Sequence, residues 1–177
     1  MSSSIDFKNI LVVGVGLIGG SIIRALKESS FSGGVFGMDS DKKAVTSAYD
    51  LGFIQNKDTN ISKDLDDLLV IFSVPVLSFQ EAMSQINIMI NTENVIYTDT
   101  LSVKSSILNT LKTLDRTVLE RFVLSHPIAG SEQSGFKASS ATLFKRKLCI
   151  ICPHEDNSEI DVSKVEEFWK ALGSYTK

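Results

Sequence analysis

The tightest constraint on how this chain can fold is a set of short, unbroken apolar runs at 10–13, 35–38, 69–72, 95–98, 122–124 and 148–152. A strand with one wet face alternates apolar and polar residues, whereas an unbroken run marks a strand covered on both faces, as in parallel sheets. Between the runs, apolar residues return with helical spacing. Ile18, Ile22, Ala25 and Leu26 form one such face, and Phe79, Met83, Ile86 and Ile90 a second. Val103, Ile107, Leu111 and Leu114 form a third, and Val165, Phe168, Trp169 and Leu172 a fourth. Ser78 with Glu81 and Ser163 with Glu166 have capping-box spacing, which predicts helix starts at both serines. Strand and helix in alternation predict an α/β fold: a Rossmann-type, doubly wound, mainly parallel sheet with helices on both faces and ligands at the carboxyl ends of the strands.

Length and composition narrow the classes. On a scale of about 150 residues per domain, 177 residues make one unit, read as spanning 1–177. With 43% hydrophobic and 22% charged residues a packed core is expected rather than disorder. A net charge of −3 offers no basic face for a phosphate backbone, which argues against nucleic acid as partner. No apolar stretch reaches the ~18 residues of a membrane span. The run 10–23 is broken by four glycines, so it reads as folded structure rather than a leader peptide. Cys149 and Cys152 form a C-x-x-C within a strand-like run, where the two thiols fall on opposite faces and are buried, unlike the exposed helix starts of redox motifs. His154 is close by, but zinc needs further ligands that the sequence does not offer, so no metal is expected. Reduced cysteines suit a cytoplasmic location.

Directly after the first run comes Gly14-Val15-Gly16-Leu17-Ile18-Gly19. In a G-x-G-x-x-G that opens a helix, the first glycine permits the tight turn, the second lets a pyrophosphate approach, and the third lets helix and strand pack closely. The amides at Gly16, Leu17 and Ile18 and the positive end of the helix dipole would hold the phosphates. Asp39 ends the second run, twenty residues beyond Gly19. A carboxylate there accepts hydrogen bonds from the adenine ribose and repels a 2′-phosphate, favouring NAD over NADP, although Ser40, Lys42 and Lys43 could partly accommodate a phosphate. Alternatively, Asp39 or Asp41 caps the next helix. Ser73-Val74-Pro75 and Asp99-Thr100-Leu101-Ser102 follow two later runs and should complete the cofactor cleft, with Pro75 as a helix start and Ser102 as an N-cap the simpler readings.

His126 follows the fifth run at its carboxyl end. An imidazole there can accept a proton at neutral pH, as oxidation of a carbon bearing a hydroxyl requires, though spacing alone equally allows a structural histidine. Ser125 is no triad partner, because neighbours on an extended segment point apart. These blocks together, with Gly20-Ser21 after the glycine loop, Asp99 to Lys104, and above all His126-Pro127-Ile128-Ala129-Gly130-Ser131-Glu132-Gln133-Ser134-Gly135, resemble the prephenate/arogenate dehydrogenase family. The resemblance implies NAD-dependent oxidative decarboxylation of prephenate to 4-hydroxyphenylpyruvate in tyrosine biosynthesis, with arogenate as the alternative substrate. It implies that His126 binds the 4-hydroxyl and accepts its proton, that Ser102 orients His126, and that Ser131 and Glu132 line the substrate pocket.

Two departures stand out. The family carries Gly where this chain has Leu101, so either the loop takes another path or the cofactor sits differently. The family's helical C-terminal domain, which makes a homodimer and grips a substrate carboxylate, is expected to lie beyond this chain. Two other readings compete: a β-hydroxyacid-type dehydrogenase, which lacks the His-Pro-x-Ala-Gly block, and a non-catalytic NAD-binding module.

Overall fold

The computed structural model describes residues 5–29, 31–58, 61–63, 65–91, 94–130 and 132–177. Seven strands form one sheet: β1 (Asn9–Val13), β2 (Gly34–Met38), β3 (Leu68–Phe72), β4 (Val95–Asp99), β5 (Phe122–Pro127), β6 (Leu148–Cys152) and β7 (Tyr175–Thr176). Among the described residues six α-helices accompany them: α1 (Leu17–Glu28), α2 (Lys42–Asp50), α3 (Phe79–Met89), α4 (Lys104–Leu111), α5 (Arg116–Glu120) and α6 (Glu159–Ala171). The spatial order is β2-β1-β3-β4-β5-β6-β7. From β2 through β5 the pairings are parallel. The chain therefore winds one way from β1 to β2 and the other way from β3 onward. Where it reverses, between β1 and β3, a crevice opens at the carboxyl ends of the strands.

The unbroken apolar runs are explained by two cores. In β1, Ile10 and Val12 face a cluster with Ile22, Ile23, Leu26, Val165, Phe168 and Trp169. Leu11 and Val13 face the opposite cluster, with Phe79, Met83, Ile86, Ile107 and Leu111. Both faces are covered, so neither has a use for polar residues. β6 departs from the expectation, because it runs antiparallel to β5. An apolar run reports cover, and direction comes from the connection. Cys149 joins the first cluster and Cys152 packs against the second, on opposite faces, but only Cys149 is buried and Cys152 stays partly exposed. Burial pushes the Cys149 thiol up to about 12, which removes it from redox chemistry near neutrality.

Neither capping box forms. Ser78 has φ −93° and ψ −5° within a 3-10 turn leading into α3, so its side chain does not reach back to the amides, and it makes no cap bond. α6 starts earlier than predicted: Ser158 is extended and accepts from Asp161 N, which leaves Ser163 and Glu166 inside the helix. Among the described residues, no helix is long and apolar enough to cross a membrane.

Phe122 joins the strands to the helices on its face. Its ring centroid lies 5.9 Å from both Phe72 and Tyr97, in stacked arrangements, and 5.8 Å edge-on from Phe79. Phe122→Ala should lower the unfolding free energy by about 3–5 kcal/mol. Urea denaturation measures this, and a loss below about 1 kcal/mol would show that the cluster refills the cavity.

Candidate active site

At Gly14 the backbone has φ +97°, and a Cβ there would lie 2.5 Å from the Ser73 carbonyl oxygen. Only glycine serves, because both the turn and the approach of the β3 end exclude a side chain. At Gly19 a Cβ would lie 1.9 Å from the Gly14 carbonyl oxygen, so α1 can sit on β1 only without one. Gly16 is different: no atom lies within 4 Å of its would-be Cβ. No side chain caps α1, and its first turn carries no acidic residue. Open space over an uncapped helix start is what an anion needs.

A cleft of about 350 Å³ runs from this loop along the carboxyl ends of β1, β2 and β3. Gly14, Gly16, Asp39, Ser73, Val74 and Pro75, which the sequence suggests for a cofactor, all line it. Its far wall comes from Ser78, Glu81, Ala82 and Gln85, which sequence reasoning missed. Their i, i+3, i+4, i+7 spacing on α3 was the available signal. Leu17 and Ile18, partly exposed in the first turn of α1, are not among the residues that line it.

Asp39 holds the loop as well as facing the cleft. Its Oδ2 accepts from Val15 N at 2.6 Å and its Oδ1 from Asp41 N at 2.8 Å. The helix cap belongs to its neighbour Asp41, whose Oδ1 accepts from Lys43 N. A second hollow of about 410 Å³ shares Gly16 and Asp39 with the first, and Lys43 and Lys137 stand in its walls.

The carboxyl ends of β4 and β5 meet around a buried carboxylate. Asp99 was expected in the cleft, but it has no exposed surface. Its Oδ1 accepts from Ser125 N at 3.1 Å, and its Oδ2 accepts from Leu101 N at 3.0 Å and from the Lys104 ammonium. The expectation is corrected to a role beneath the surface, because Asp99 is fully buried and does not line the cleft. Burial pushes this carboxyl above its ordinary range, against the pull of Lys104. Lys104 also donates to the Ser125 carbonyl oxygen. Removing one partner of such a buried pair typically costs about 3–5 kcal/mol, because the other charge is left uncompensated.

Ser125 and His126 point to opposite faces of β5, as period two requires. Ser125 Oγ donates its single proton to the Asp99 carbonyl oxygen at 2.6 Å. It must therefore accept from Thr98 Oγ1 at 2.9 Å and from Trp169 Nε1 at 3.0 Å. On the other face, His126 Nδ1 lies 3.3 Å from the Thr100 carbonyl oxygen. A carbonyl only accepts, so a hydrogen bond here requires the proton on Nδ1, and in the neutral ring that leaves the lone pair on Nε2. Thr100 in turn bonds Ser73 through their hydroxyls at 3.1 Å, linking the cleft to the imidazole.

Ser102 is exposed, and among the described residues no hydrogen bond joins it to His126. It does not cap α4, whose N-cap is Val103. Leu101 turns inward and is buried in the second core, without positive φ. The leucine side chain thus stays out of the cleft. Glu132 is exposed, and Ser131 lies outside the described residues. Among the described residues, no group of three or more His, Cys, Asp and Glu side chains is placed to hold a metal ion.

The segment that carries Glu132 returns to α1. Arg24 lies 4.6 Å from the centre of the Phe53 ring and 4.7 Å from that of Phe136, and its Nε donates to Ser139 Oγ at 2.7 Å. Ser140 N donates to Ser21 Oγ at 3.0 Å.

Residues 22–176 match the family described as "Prephenate dehydrogenase, nucleotide-binding domain". The chain is 30% identical over 172 residues to cyclohexadienyl dehydrogenase of Zymomonas mobilis, covering 94% of this chain and 56% of that protein. It is 29% identical over 154 residues to prephenate dehydrogenase of Lactococcus lactis, covering 86% of this chain and 42% of the relative. Prephenate dehydrogenase of Aquifex aeolicus, solved with hydroxyphenyl propionate and NAD+, superposes with a TM-score of 0.86 at 30% identity, over 98% of this chain and 60% of that one. The chain spans about half the length of these relatives. With the crevice at the strand reversal, the glycine loop and the match over residues 22–176 in agreement, this chain belongs to the prephenate dehydrogenase family as its nucleotide-binding domain.

Proposed function

We propose that this chain is the NAD-binding, proton-accepting part of a dehydrogenase that converts prephenate to 4-hydroxyphenylpyruvate and CO2. The observation that carries the reading is the His126 Nδ1–H bond to the Thr100 carbonyl, which leaves Nε2 as a base at the carboxyl end of β5. The likeness to a structure solved with NAD+ and hydroxyphenyl propionate supports it. The residues fit the cofactor. Gly16, Leu17 and Ile18 offer amides to the pyrophosphate at an uncapped helix start, and Asp39 offers its carboxylate to the adenine ribose while repelling a 2′-phosphate. Ser73, Val74 and Pro75 wall the same cleft.

When bound, NAD supplies the hydride acceptor. His126 Nε2 takes the proton of the 4-hydroxyl as hydride leaves its carbon, and returns it to the phenolate oxygen once the ring carboxylate has left as CO2. The resemblance gives Ser102, on the adjoining loop, the role of orienting His126, and gives Ser131 and Glu132, on the segment that follows His126, the lining of the substrate pocket. Prephenate is preferred to arogenate because two of the relatives are prephenate dehydrogenases by name. A homodimer, formed through a further helical domain, and a cytoplasmic location belong to the same proposal.

Three outcomes are expected. Calorimetric titration of this chain should give NAD an affinity at least ~10-fold above that of NADP, the effect of placing a carboxylate against a phosphate; equal affinities would remove the role of Asp39. Gly16→Ala should keep the native circular dichroism spectrum yet weaken NAD binding ~10-fold or more, while Gly19→Ala should lose the native fold at lower temperature. In the protein that contains this chain, His126→Asn should lower prephenate turnover ~100-fold or more and leave NAD affinity within about twofold, a loss typical for a general base. Unchanged turnover would refute the base.

A further inference from the structure

The β4–β5 ladder is short. Its paired residues are Tyr97 with Phe122 and Thr98 with Val123. From Leu124 to Pro127, β5 pairs on its other side with β6. The peptides that place the two ends of the imidazole contact therefore lie beyond the ladder: Asp99 precedes Thr100, which supplies the carbonyl, and Ser125 precedes His126, which supplies the Nδ1–H. Side chains replace the ladder there. Asp99 Oδ1 accepts from Ser125 N, Ser125 Oγ donates to the Asp99 carbonyl, and the Lys104 ammonium bridges the Asp99 carboxylate and the Ser125 carbonyl.

We propose that Lys104 is a positioning residue for His126: by joining Asp99 to Ser125 where the strands part, its ammonium sets the distance between the Thr100 carbonyl and the imidazole, and so selects the tautomer with a free Nε2. The proposal rests on the reading of His126 as the base. The Lys104 side chain is 20% exposed and reaches back from the first residue of α4 to the ends of β4 and β5. A lysine serves here because one ammonium has three donors and can hold a carboxylate and a carbonyl at once. Trp169, on α6, fixes the same Ser125 from the opposite side of the sheet.

Nitrogen-15 NMR of the imidazoles in this chain tests the proposal without substrate. Only two histidines are present, and His154→Gln separates their signals. In the wild type, His126 should hold its proton on Nδ1. In Lys104→Met the signals should move toward the averaged mixture of an unheld ring, and Lys104→Arg should restore the wild-type pattern at least in part. The double variant Asp99→Asn/Lys104→Met removes both buried charges, so it carries the test if the single variant does not fold. A wild-type His126 protonated on Nε2, or an Nδ1–H signal that persists in a folded Lys104→Met or in the double variant, would overturn the proposal and leave Lys104 as an anchor of α4. In the protein that contains this chain, Lys104→Met should lower kcat ~10-fold with NAD affinity within about twofold, the split expected of a group acting on the base alone. A shifted tautomer in a protein that does not oxidise prephenate would uphold this assignment and reject the proposed substrate.

Discussion

A carboxyl group with no exposed surface, both of whose oxygens accept hydrogen bonds, is the condition around which the carboxyl end of this sheet is arranged. Taking the Asp99 carboxylate out of water costs several kcal/mol, of which good hydrogen bonds and a counter-charge return the larger part. The protein meets that demand with two backbone amides and one ammonium, drawn from β5, from the loop after β4 and from α4. Those three donors are spread over the elements that must be held together near His126. Satisfying the charge and placing the imidazole are therefore one act of folding.

The glycine loop answers a different problem, that of bringing helix, strand and turn within contact distance. Gly14 and Gly19 are fixed by backbone atoms that leave no room for a methyl group, whereas Gly16 faces open space. Two glycines in the motif serve the protein's own packing, and one keeps room for something else. The cleft then continues past Asp39 and the β3 end to α3, so one wall is polar backbone and the other the helix edge.

Much of this could be read in the sequence, and the physics says which part. Runs such as 69–72 gave their strands because cover on both faces is written residue by residue. The glycine spacing placed the loop because steric limits are local. Three things were not readable. The direction of β6 depends on a connection and not on its own residues. The start of α6 at Ser158 was hidden by a second serine with equally good spacing. The roles of Thr100, Lys104 and Trp169 require that residues 26 to 44 positions from Ser125 or His126 be brought together, or in the case of Lys104 that the chain fold back across 21 positions. Period two correctly separated Ser125 from His126, yet it could not show that Ser125 would be the junction of the hydrogen-bond network.

The contact of Arg24 with Phe53, Phe136 and Ser139 bears on the segment between His126 and Phe136. That segment leaves β5 at a point held by the buried charge and returns to α1 at a point held by a guanidinium lying against two rings. A loop with both ends pinned has already surrendered most of its closure entropy during folding. The clamp of Arg24 on Phe53, Phe136 and Ser139 thus fixes the point at which the chain after β5 comes back to the first helix.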